Sequence, residues 1–402
     1  MVEYKVIPDP QSIKNILTLR YDPTQKTSLP KINVKNFQNI EPSIEHVEYL
    51  IEKSLNNLSP TPKKITLALS GGIDSTLVLY FLRKVFPETT IEAISIKFVD
   101  SVDESKVASK IAEHFGINHH VVMIENHLKE LPKAISIVGL PFWDLHWYYV
   151  AKHAKTLGTH LASGDAGDEI FGGYTFRYKK FLSLVNTNST PLQKVKAYLK
   201  CHERDSVPDQ EDLFGKNKRF FWNDIYDIMI PYFDNHLSLI DQVFLADYNG
   251  KLLYNFSIVN SKINNYFNLK TISPFISEEL ISYMMSVSHN YKYDEKNNLG
   301  KLLLRQIISK NKLDLLISNE KLGFSVNTTN LWKSVGHRIC TNYLKNGRIL
   351  NDNLINKKWV DRYIDEENLD IRYVNKFLGL LALEIWYRIF ITKEMVSNTK
   401  LE

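Results

Sequence analysis

Short apolar runs alternate with amphipathic stretches in the first half of the chain, and this alternation predicts its architecture. Apolar residues recur at helical spacing in 44–58, 77–85 and 103–115, and Ser43 is the expected N-cap of the first stretch. The apolar runs are short enough to be buried strands, and they occupy residues 64–70, 91–98, 119–124 and 159–163. Strands that alternate with helices in this way form a parallel sheet covered by helices on both faces. Such sheets bind ligands at the carboxyl ends of their strands.

The remainder of the chain shows helical periodicity and few strand-like runs. Its last strongly apolar stretch, 378–391, predicts a buried helix. Residues 1–42 are polar and contain several prolines, which predicts an extended N-terminal arm with little structure of its own. We therefore expect one domain over 43–402, made of an α/β nucleotide-binding core (43–178) and a helical half (179–402) that shares its core.

Composition and charge narrow the classes of function. The chain has 402 residues, of which 44% are hydrophobic and 24% charged, with a formal net charge of +5, as in ordinary globular proteins. It shows no dense basic stripe and no apolar run near the roughly 18 residues of a membrane span, so we expect neither nucleic-acid nor membrane binding. No signal-peptide pattern opens the sequence, which favours the cytoplasm. Cys201 and Cys340 form no CxxC pair, so neither a zinc site nor a redox site is predicted.

A glycine-rich loop follows the first predicted strand and precedes a helix. It reads Ser70-Gly71-Gly72-Ile73-Asp74-Ser75. The two glycines allow main-chain N–H groups to approach an anion, and the helix that follows adds the positive end of its dipole. Asp74 would repel phosphate unless it bound Mg²⁺, which bridges carboxylates and phosphate oxygens. The loop lacks the lysine of a Walker A motif and is instead typical of a pyrophosphate-binding loop.

A second unusual segment ends another predicted strand. It runs from Ser163 to Tyr174 and reads SGDAGDEIFGGY, with Asp165, Asp168 and Glu169 crowded among glycines. Like charges so close are unfavourable unless a cation lies between them. Because the carboxyl ends of parallel strands share one edge of the sheet, we predict that one Mg²⁺ ion brings Asp74 and Asp168 together.

In this order, the two motifs resemble the synthetase domain of asparagine synthetases, which carries an SGGxDS loop followed by an acidic glycine-rich segment ending in FGGY. Weaker similarities extend the resemblance over about residues 40–335. They comprise Ile96-Lys97-Phe98, Asp103-Glu104-Ser105, His119-His120, Ser273-Pro274-Phe275, Lys301-Leu302-Leu303-Leu304-Arg305, Lys321-Leu322-Gly323-Phe324 and Trp332. The resemblance implies the PP-loop fold of the adenine-nucleotide alpha-hydrolase type. It also implies an enzyme that adenylates a carboxylate, with cleavage of ATP to AMP and pyrophosphate.

The resemblance also implies roles for individual residues. Asp74 and Asp168 would bind Mg²⁺, and Asp165 would order an amine and take its proton, in a slot where asparagine synthetases usually carry Glu. Lys301 would neutralise charge that grows on the α-phosphate in the transition state. Adenine would lie near Leu69 and Ile96. The full set of implied contacts to ATP is Leu69, Ser70, Gly71, Gly72, Asp74, Ser75, Ile96, Gly164 and Lys301.

The sequence departs from the glutamine-dependent members of that family. Val2 stands where their glutaminase domain has its N-terminal cysteine, and too few residues precede the first predicted helix to form that domain, so we expect it to be absent. Nitrogen would come from ammonia, a separate glutaminase subunit or an amine on the substrate. Residues 259–269 also lack the small-residue and Glu-Arg pattern that members carry before Pro-Phe.

Three hypotheses of function remain open at this point. The first is a ligase that joins aspartate to ammonia and gives asparagine, AMP and pyrophosphate. The second keeps the chemistry but forms a lactam, a macrolactam or another amide from a different acid and amine. The third is a nucleotide-binding partner subunit without turnover, against which the presence of both acidic motifs and Lys301 argues. Partners are expected to be small molecules, and self-association stays open.

Overall fold

The computed structural model describes residues 9–99, 101, 103, 105–317, 326–366 and 368–402. Its strands are β1 Lys64–Ala68, β2 Thr90–Phe98, β3 Asn118–Ile124, β4 His160–Ala162, β5 Lys270–Ile272, β6 Tyr293–Asp294 and β7 Leu299–Gly300. Within the described residues, the first five form one parallel sheet in the order β3-β2-β1-β4-β5, and the last two pair in antiparallel fashion. The chain order of the strands reverses between β1 and β4, and ligands bind at such switch points.

Helices surround the sheet and fill the second half of the chain. Those that accompany the first four strands are α1 Pro10–Leu19, α2 Ile44–Asn56, α3 Ile73–Val85, α4 Ser105–His114, α5 Leu131–Val138, α6 His146–Leu157 and α7 Gly167–Phe171. Those that follow are α8 Thr175–Leu184, α9 Pro191–Cys201, α10 Trp222–Phe233, α11 Leu239–Asp247, α12 Ser257–Tyr266, α13 Glu278–Ser286, α14 Leu302–Lys310, α15 Thr328–Leu331, α16 His337–Leu344, α17 Arg348–Asn351, α18 Lys357–Tyr363 and α19 Ile371–Phe390. A π-helical stretch, Tyr248–Phe256, joins α11 to α12.

The alternation of strands and helices predicted from the sequence is confirmed. Each of the four predicted strands is present, and each observed boundary lies within two residues of the prediction. Ser43 caps α2, since its hydroxyl accepts the N–H of His46 at 3.2 Å. Helix α3 begins at Ile73, four residues before the predicted start, so Asp74 lies in its first turn. The parallel sheet and its helices therefore provide the predicted α/β fold.

A fifth strand comes from the helical half and was not predicted. β5 has only three residues, Lys270, Thr271 and Ile272, and pairs with β4 at the edge of the sheet. So short a run carries no alternation that a pattern could detect. Consequently, the sheet draws on both halves of the chain, and β5 delivers the residues after it to the switch point.

The expectation of an N-terminal arm without structure was wrong for residues 10–19, which form α1. Asp9 caps this helix by accepting the N–H groups of Gln11 and Ser12, and α1 packs against α19 with Leu17 fully buried. Pro10 was taken as a sign of irregular chain, although proline is favoured in the first turn of a helix. A helix this short gives a weak periodic signal among polar residues and prolines.

The helical half is organised around α19, which contains the predicted stretch 378–391 but begins earlier, at Ile371. Residues 374–387 of α19 are buried. The buried Glu384 carboxylate accepts the main-chain N–H groups of Arg348 and Ile349, at 2.8 and 3.0 Å, so its charge is compensated at the start of α17. Among the described residues, no helix combines the length and the apolarity that crossing a bilayer requires.

Candidate active site

The first glycine-rich loop turns directly from β1 into α3. Gly71 has a φ of +80°, a conformation that residues with a side chain avoid, and a β-carbon there would lie 3.0 Å from the Val107 side chain. The Ser75 hydroxyl accepts the N–H of Ser70 at 3.2 Å, and Ser70 Oγ accepts the N–H of Gly72 at 3.3 Å. Hydroxyls and main-chain N–H groups thus gather at the N-terminus of α3, where the helix dipole favours an anion.

The second motif follows β4 and lies directly against the first loop. α7 begins after Ala166, which adopts a left-handed φ of +72°. A β-carbon at Gly164 would lie 2.7 Å from Asp74 Cβ, and one at Gly167 would lie 2.5 Å from the Asp74 carboxyl carbon. Only glycine permits so close an approach, and the two motifs therefore meet at the carboxyl ends of β1 and β4.

Lys301 lies between the two acidic corners. Its Nζ is 2.5 Å from Asp74 Oδ2 and 2.8 Å from Asp168 Oδ1. Burial lowers the pKa of Lys301, but the charges and hydrogen bonds of the two carboxylates outweigh burial and raise it above its ordinary value. The main-chain N–H of Lys301 donates to the carbonyl of Phe171 at 3.1 Å, and a β-carbon at Gly173 would overlap the Asp168 carboxylate. The hairpin β6–β7 and the second motif together fix this lysine in place.

Asp74 and Asp168 fit a magnesium ion. Their carboxylates converge on one cationic atom, Lys301 Nζ, so both reach a common point that a positive charge can occupy. In the described part of the chain, no group of three or more His, Cys, Asp or Glu side chains could hold a metal by itself. Mg²⁺ commonly binds through one or two carboxylates and completes its shell with substrate phosphates and water. This donor set suits an ion that arrives with a nucleotide.

Asp165 faces a different group of side chains. Its Oδ2 accepts the amide of Asn260 at 3.2 Å. Burial raises the pKa of Asp165, an effect that the hydrogen bonds of Ser163 and Asn260 and the charge of His146 partly offset. His146 Nδ1 lies 3.3 Å from Asp144 Oδ1; burial lowers the pKa of His146, but the hydrogen bond to Asp144 and the charges of Asp144 and Asp165 raise it overall. A carboxyl group with a raised pKa is a better proton acceptor than an ordinary aspartate.

Glu169 is the third carboxylate of the second motif, and no role for it was predicted from the sequence. It is buried and accepts the hydroxyl of Tyr174 at 2.6 Å. Burial, together with the charge of Asp168, raises the pKa of Glu169 to about 7. The guanidinium of Arg177 stacks on the Tyr174 ring at 4.0 Å. Glu169 therefore anchors the glycine-tyrosine end of the motif.

A cavity of about 510 Å³ opens beside the two acidic corners. It extends from Asp74 and Asp168 past Asp165 to the π-helical stretch, α12 and the segment after β5. π-Helical turns often mark functional sites, because the inserted residue redirects side chains. Here the stretch contributes Leu252 and Phe256 to the wall. The volume is within the usual range of small-molecule sites.

The residues predicted to contact adenine lie apart from this cavity. Leu69, directly after β1, and Ile96, in β2, are both buried, and the N–H of Leu69 donates to the carbonyl of Ile94 at 3.0 Å. Neither residue lines the cavity, nor do Ser70, Gly71, Gly72 and Ser75. The structure thus separates the predicted nucleotide residues from the cavity, with Asp74, Gly164 and Asp168 at the junction.

Other predicted residues take structural positions. His119 contacts Ser95 Oγ at 2.7 Å, and His120 contacts Glu92 at 2.7 Å. Arg305 donates to the Gly300 carbonyl at 3.0 Å. The segment 321–324 and Glu104 lie outside the described residues.

Sequence reasoning missed His146 and Asn260. His146 lies in an aromatic stretch without a recognisable motif, and its neighbour Trp147 is buried. Asn260 lies in α12, whose sequence carries no recognisable motif. Two weak signals lay on this side of the cavity: the departure of residues 259–269 from the family pattern, and the Ser273-Pro274 similarity, whose two residues line the cavity.

Comparison with known proteins agrees with this geometry. A sequence profile described as "Asparagine synthase" matches residues 46–388. The chain is similar to asparagine synthetase [glutamine-hydrolyzing] 1 of Bacillus subtilis, with 24% identity over 92% of this chain and 63% of that protein. It is similar to the asparagine synthetases [glutamine-hydrolyzing] of Gallus gallus (27% identity over 37% of this chain and 28% of that protein) and Homo sapiens (26% identity, 35% and 27%).

The profile match covers most of the chain, whereas the chain spans less than two thirds of the length of each of these relatives. The matched residues include both glycine-rich motifs, Lys301 and the cavity wall from α12 onward. This chain therefore belongs to the asparagine synthase family.

Proposed function

We propose that this protein is an ATP-dependent ligase that adenylates a carboxylate and transfers the acyl group to ammonia or an amine, releasing AMP and pyrophosphate. One observation carries the proposal: Asp74, Asp168 and Lys301 converge at the switch point of the sheet, beside a cavity large enough for an acid. The family membership supports the same chemistry.

In the first step, a carboxylate oxygen attacks the α-phosphorus and the bond to the β-phosphate oxygen breaks, so that pyrophosphate leaves. Main-chain N–H groups of 70–72 and the start of α3 would bind the β- and γ-phosphates. Asp74 and Asp168 would hold Mg²⁺, which when bound neutralises phosphate charge. Lys301 would then turn from the two carboxylates toward the α-phosphate and stabilise the charge that develops there.

In the second step, nitrogen attacks the acyl carbon, the bond from that carbon to the AMP oxygen breaks, and the nitrogen loses a proton. Asp165 lines the cavity three residues before Asp168, and burial raises its pKa, so it can accept this proton. The Asn260 amide donates to Asp165 Oδ2 at 3.2 Å and so fixes the orientation of this carboxyl group. Glycines at 164 and 167 keep this acid and the phosphate corner within one site.

Two pairs of substrates are compatible with this reaction. Aspartate and ammonia are suggested by the names of the relatives, which are asparagine synthetases that hydrolyse glutamine. Ammonia would come from solution or from a separate glutaminase. A different acid and amine, as in lactam formation, form the second candidate, and the chemistry of the cavity wall bears on that choice.

The test measures whether an oxygen atom of the carboxylic acid is transferred to AMP. Purified protein is incubated with MgATP, a carboxylic acid labelled with ¹⁸O in its carboxyl group, and ammonium or hydroxylamine. The proposal predicts release of pyrophosphate and of AMP that carries one ¹⁸O, both absent with the Asp74→Asn variant. Release of ADP and phosphate, or unlabelled AMP, contradicts adenylation. ATP binding without cleavage for any acid would favour the partner-subunit hypothesis.

A further inference from the structure

The wall of the 510 Å³ cavity is unusual in its charge. Its acidic side chains are Asp74, Asp165, Asp168 and Glu169, and within the described residues His146 is its one basic side chain. Much of the remaining wall is apolar and includes Leu29, Leu55, Leu58, Leu252, Phe256 and Ile276. A dicarboxylate bound here would place its second carboxylate among acids, hydrocarbon and uncharged polar groups, with no lysine or arginine side chain among the described lining residues.

Three cations on the surrounding elements, Lys301, Arg20 and Lys262, already have partners within the protein. Lys301 lies between the two carboxylates on the phosphate side, at 2.5 and 2.8 Å. Arg20 donates to Asp144 at 3.3 Å and stacks on Trp143, whereas Lys262 donates to the carbonyl of Val138 at 2.6 Å. None of these three cations lines the cavity.

His146 does not offset this excess of negative charge. It contacts Asp144 at 3.3 Å and also experiences the charge of Asp165. Even as an imidazolium, it contributes one positive charge beside two carboxyl groups. The group as a whole therefore offers no net positive charge to a ligand.

Two hydroxyl groups on the α12 side of the wall have their hydrogens engaged within the protein. Ser257 donates its hydroxyl to the Leu253 carbonyl at 2.7 Å, and Ser261 donates to the Ile258 carbonyl at 3.1 Å. Asn264 donates its amide to Thr271 at 2.9 Å. Because the hydroxyl hydrogens of Ser257 and Ser261 are used within the protein, the oxygens of these two side chains suit a ligand that itself donates.

We infer that the acyl substrate carries a single carboxylate, the one that is adenylated, on an apolar body that also bears a positively charged amino group. This inference rests on the proposed adenylation reaction. An ammonium group donates to the free lone pairs and is attracted by the acids, and an apolar body fits the leucine-lined side. Among the described residues of the wall, a second carboxylate finds no lysine or arginine side chain, which disfavours aspartate.

Matched pairs of acids test the inference. 3-Aminopropanoate is aspartate without its α-carboxylate, and 6-aminohexanoate is adipate with one carboxylate replaced by an aminomethyl group. Initial rates of pyrophosphate release are measured with MgATP and with hydroxylamine as a common nucleophile. In each pair, the acid with a single carboxylate is expected to have a kcat/KM about 10-fold or more above that of the dicarboxylate.

Two variants at an exposed wall residue test the cause of the preference. Ser261→Lys adds a cation to the cavity, and Ser261→Gln adds similar bulk without charge. The lysine variant is expected to shrink the 6-aminohexanoate-to-adipate ratio at least several-fold, and the glutamine variant to leave that ratio near that of the wild type. Equal changes in both variants would overturn the electrostatic reasoning.

The outcomes separate this inference from the reaction on which it rests. Pyrophosphate release that is fastest with aspartate or adipate supports adenylation and overturns the substrate class. Pyrophosphate release with none of the four acids, although titration calorimetry shows that MgATP binds, counts against both proposals. Pyrophosphate release that is fastest with 3-aminopropanoate and 6-aminohexanoate supports both the adenylation reaction and the substrate class.

Discussion

Replacing Gly167 by alanine tests whether Asp74 must stay where the second motif holds it. The new β-carbon would lie 2.5 Å from the Asp74 carboxyl carbon and 2.6 Å from Oδ1. Ordinary contact between such atoms begins near 3.4 Å, so the carboxylate would have to retreat by about 0.9 Å. Asp74 lies in the first turn of α3, and its side chain can rotate away without unfolding the helix.

The expected loss of activity follows from that displacement. Misplacing a reacting or metal-binding group by about 1 Å can cost roughly 100-fold in rate, and we expect kcat to fall by about that factor. Folding should survive, because alanine is favoured over glycine within a helix by about 1 kcal/mol. The effect on the thermal midpoint is therefore expected to be only a few degrees.

The assay compares pyrophosphate release and thermal unfolding for Gly167→Ala and for a control. Gly158→Ala is the matched control, since its β-carbon would meet nothing nearer than Thr66 Oγ1, at 3.6 Å. The control should turn over at close to the wild-type rate. A Gly167→Ala enzyme within about threefold of wild type would refute the reasoning, because Asp74 would then tolerate displacement.

Further substitutions probe the separate roles within the site. Lys301→Ala should lower kcat about 100-fold yet change the Kd of ATP little, as titration calorimetry can show, because its contact to the α-phosphate forms mainly in the transition state; a rise in Kd that accounts for the whole loss would contradict this role. Asp165→Asn should keep a first burst of pyrophosphate but lose amide product, as rapid-quench kinetics can show; a lost burst would place Asp165 in the first step instead. Burial lowers the pKa of Lys376 to about 7, so the unfolded chain binds the extra proton between about pH 7 and 10.5 and stability should rise with pH there. Lys376→Met should remove up to about 1.4 kcal/mol per pH unit from that slope in urea titrations; an unchanged slope would show that Lys376 titrates normally.

The sequence predicted the parts of the site that depend on backbone chemistry. Glycines at 71, 164 and 167 are required by a positive φ or by close approach, and such requirements leave a readable pattern. The position of Asp74 and Asp168 followed from the rule that the carboxyl ends of parallel strands share an edge. The similarity of Lys301 to the family pattern placed it in the same site, where the structure also finds it.

The acyl side of the site could not be predicted in the same way. His146 lies far in sequence from Asn260 and β5, and no spacing rule connects it to them. The hydrogen bonds that use up the donors of Ser257 and Ser261 are ordinary helical contacts, visible only once the helix is placed. α1 escaped prediction because its stability comes from packing on α19 rather than from its own pattern.

We propose that Asp74 and Asp168 bind one ion together with the phosphates of ATP. A double-mutant cycle tests it most directly: the Mg²⁺ dependence of ATP binding is measured by titration calorimetry for Asp74→Asn, for Asp168→Asn and for the double variant. If both carboxylates hold the same ion, the double variant loses less than the sum of the single losses, by at least about 1 kcal/mol. Losses that add to within about 0.5 kcal/mol would contradict the shared site.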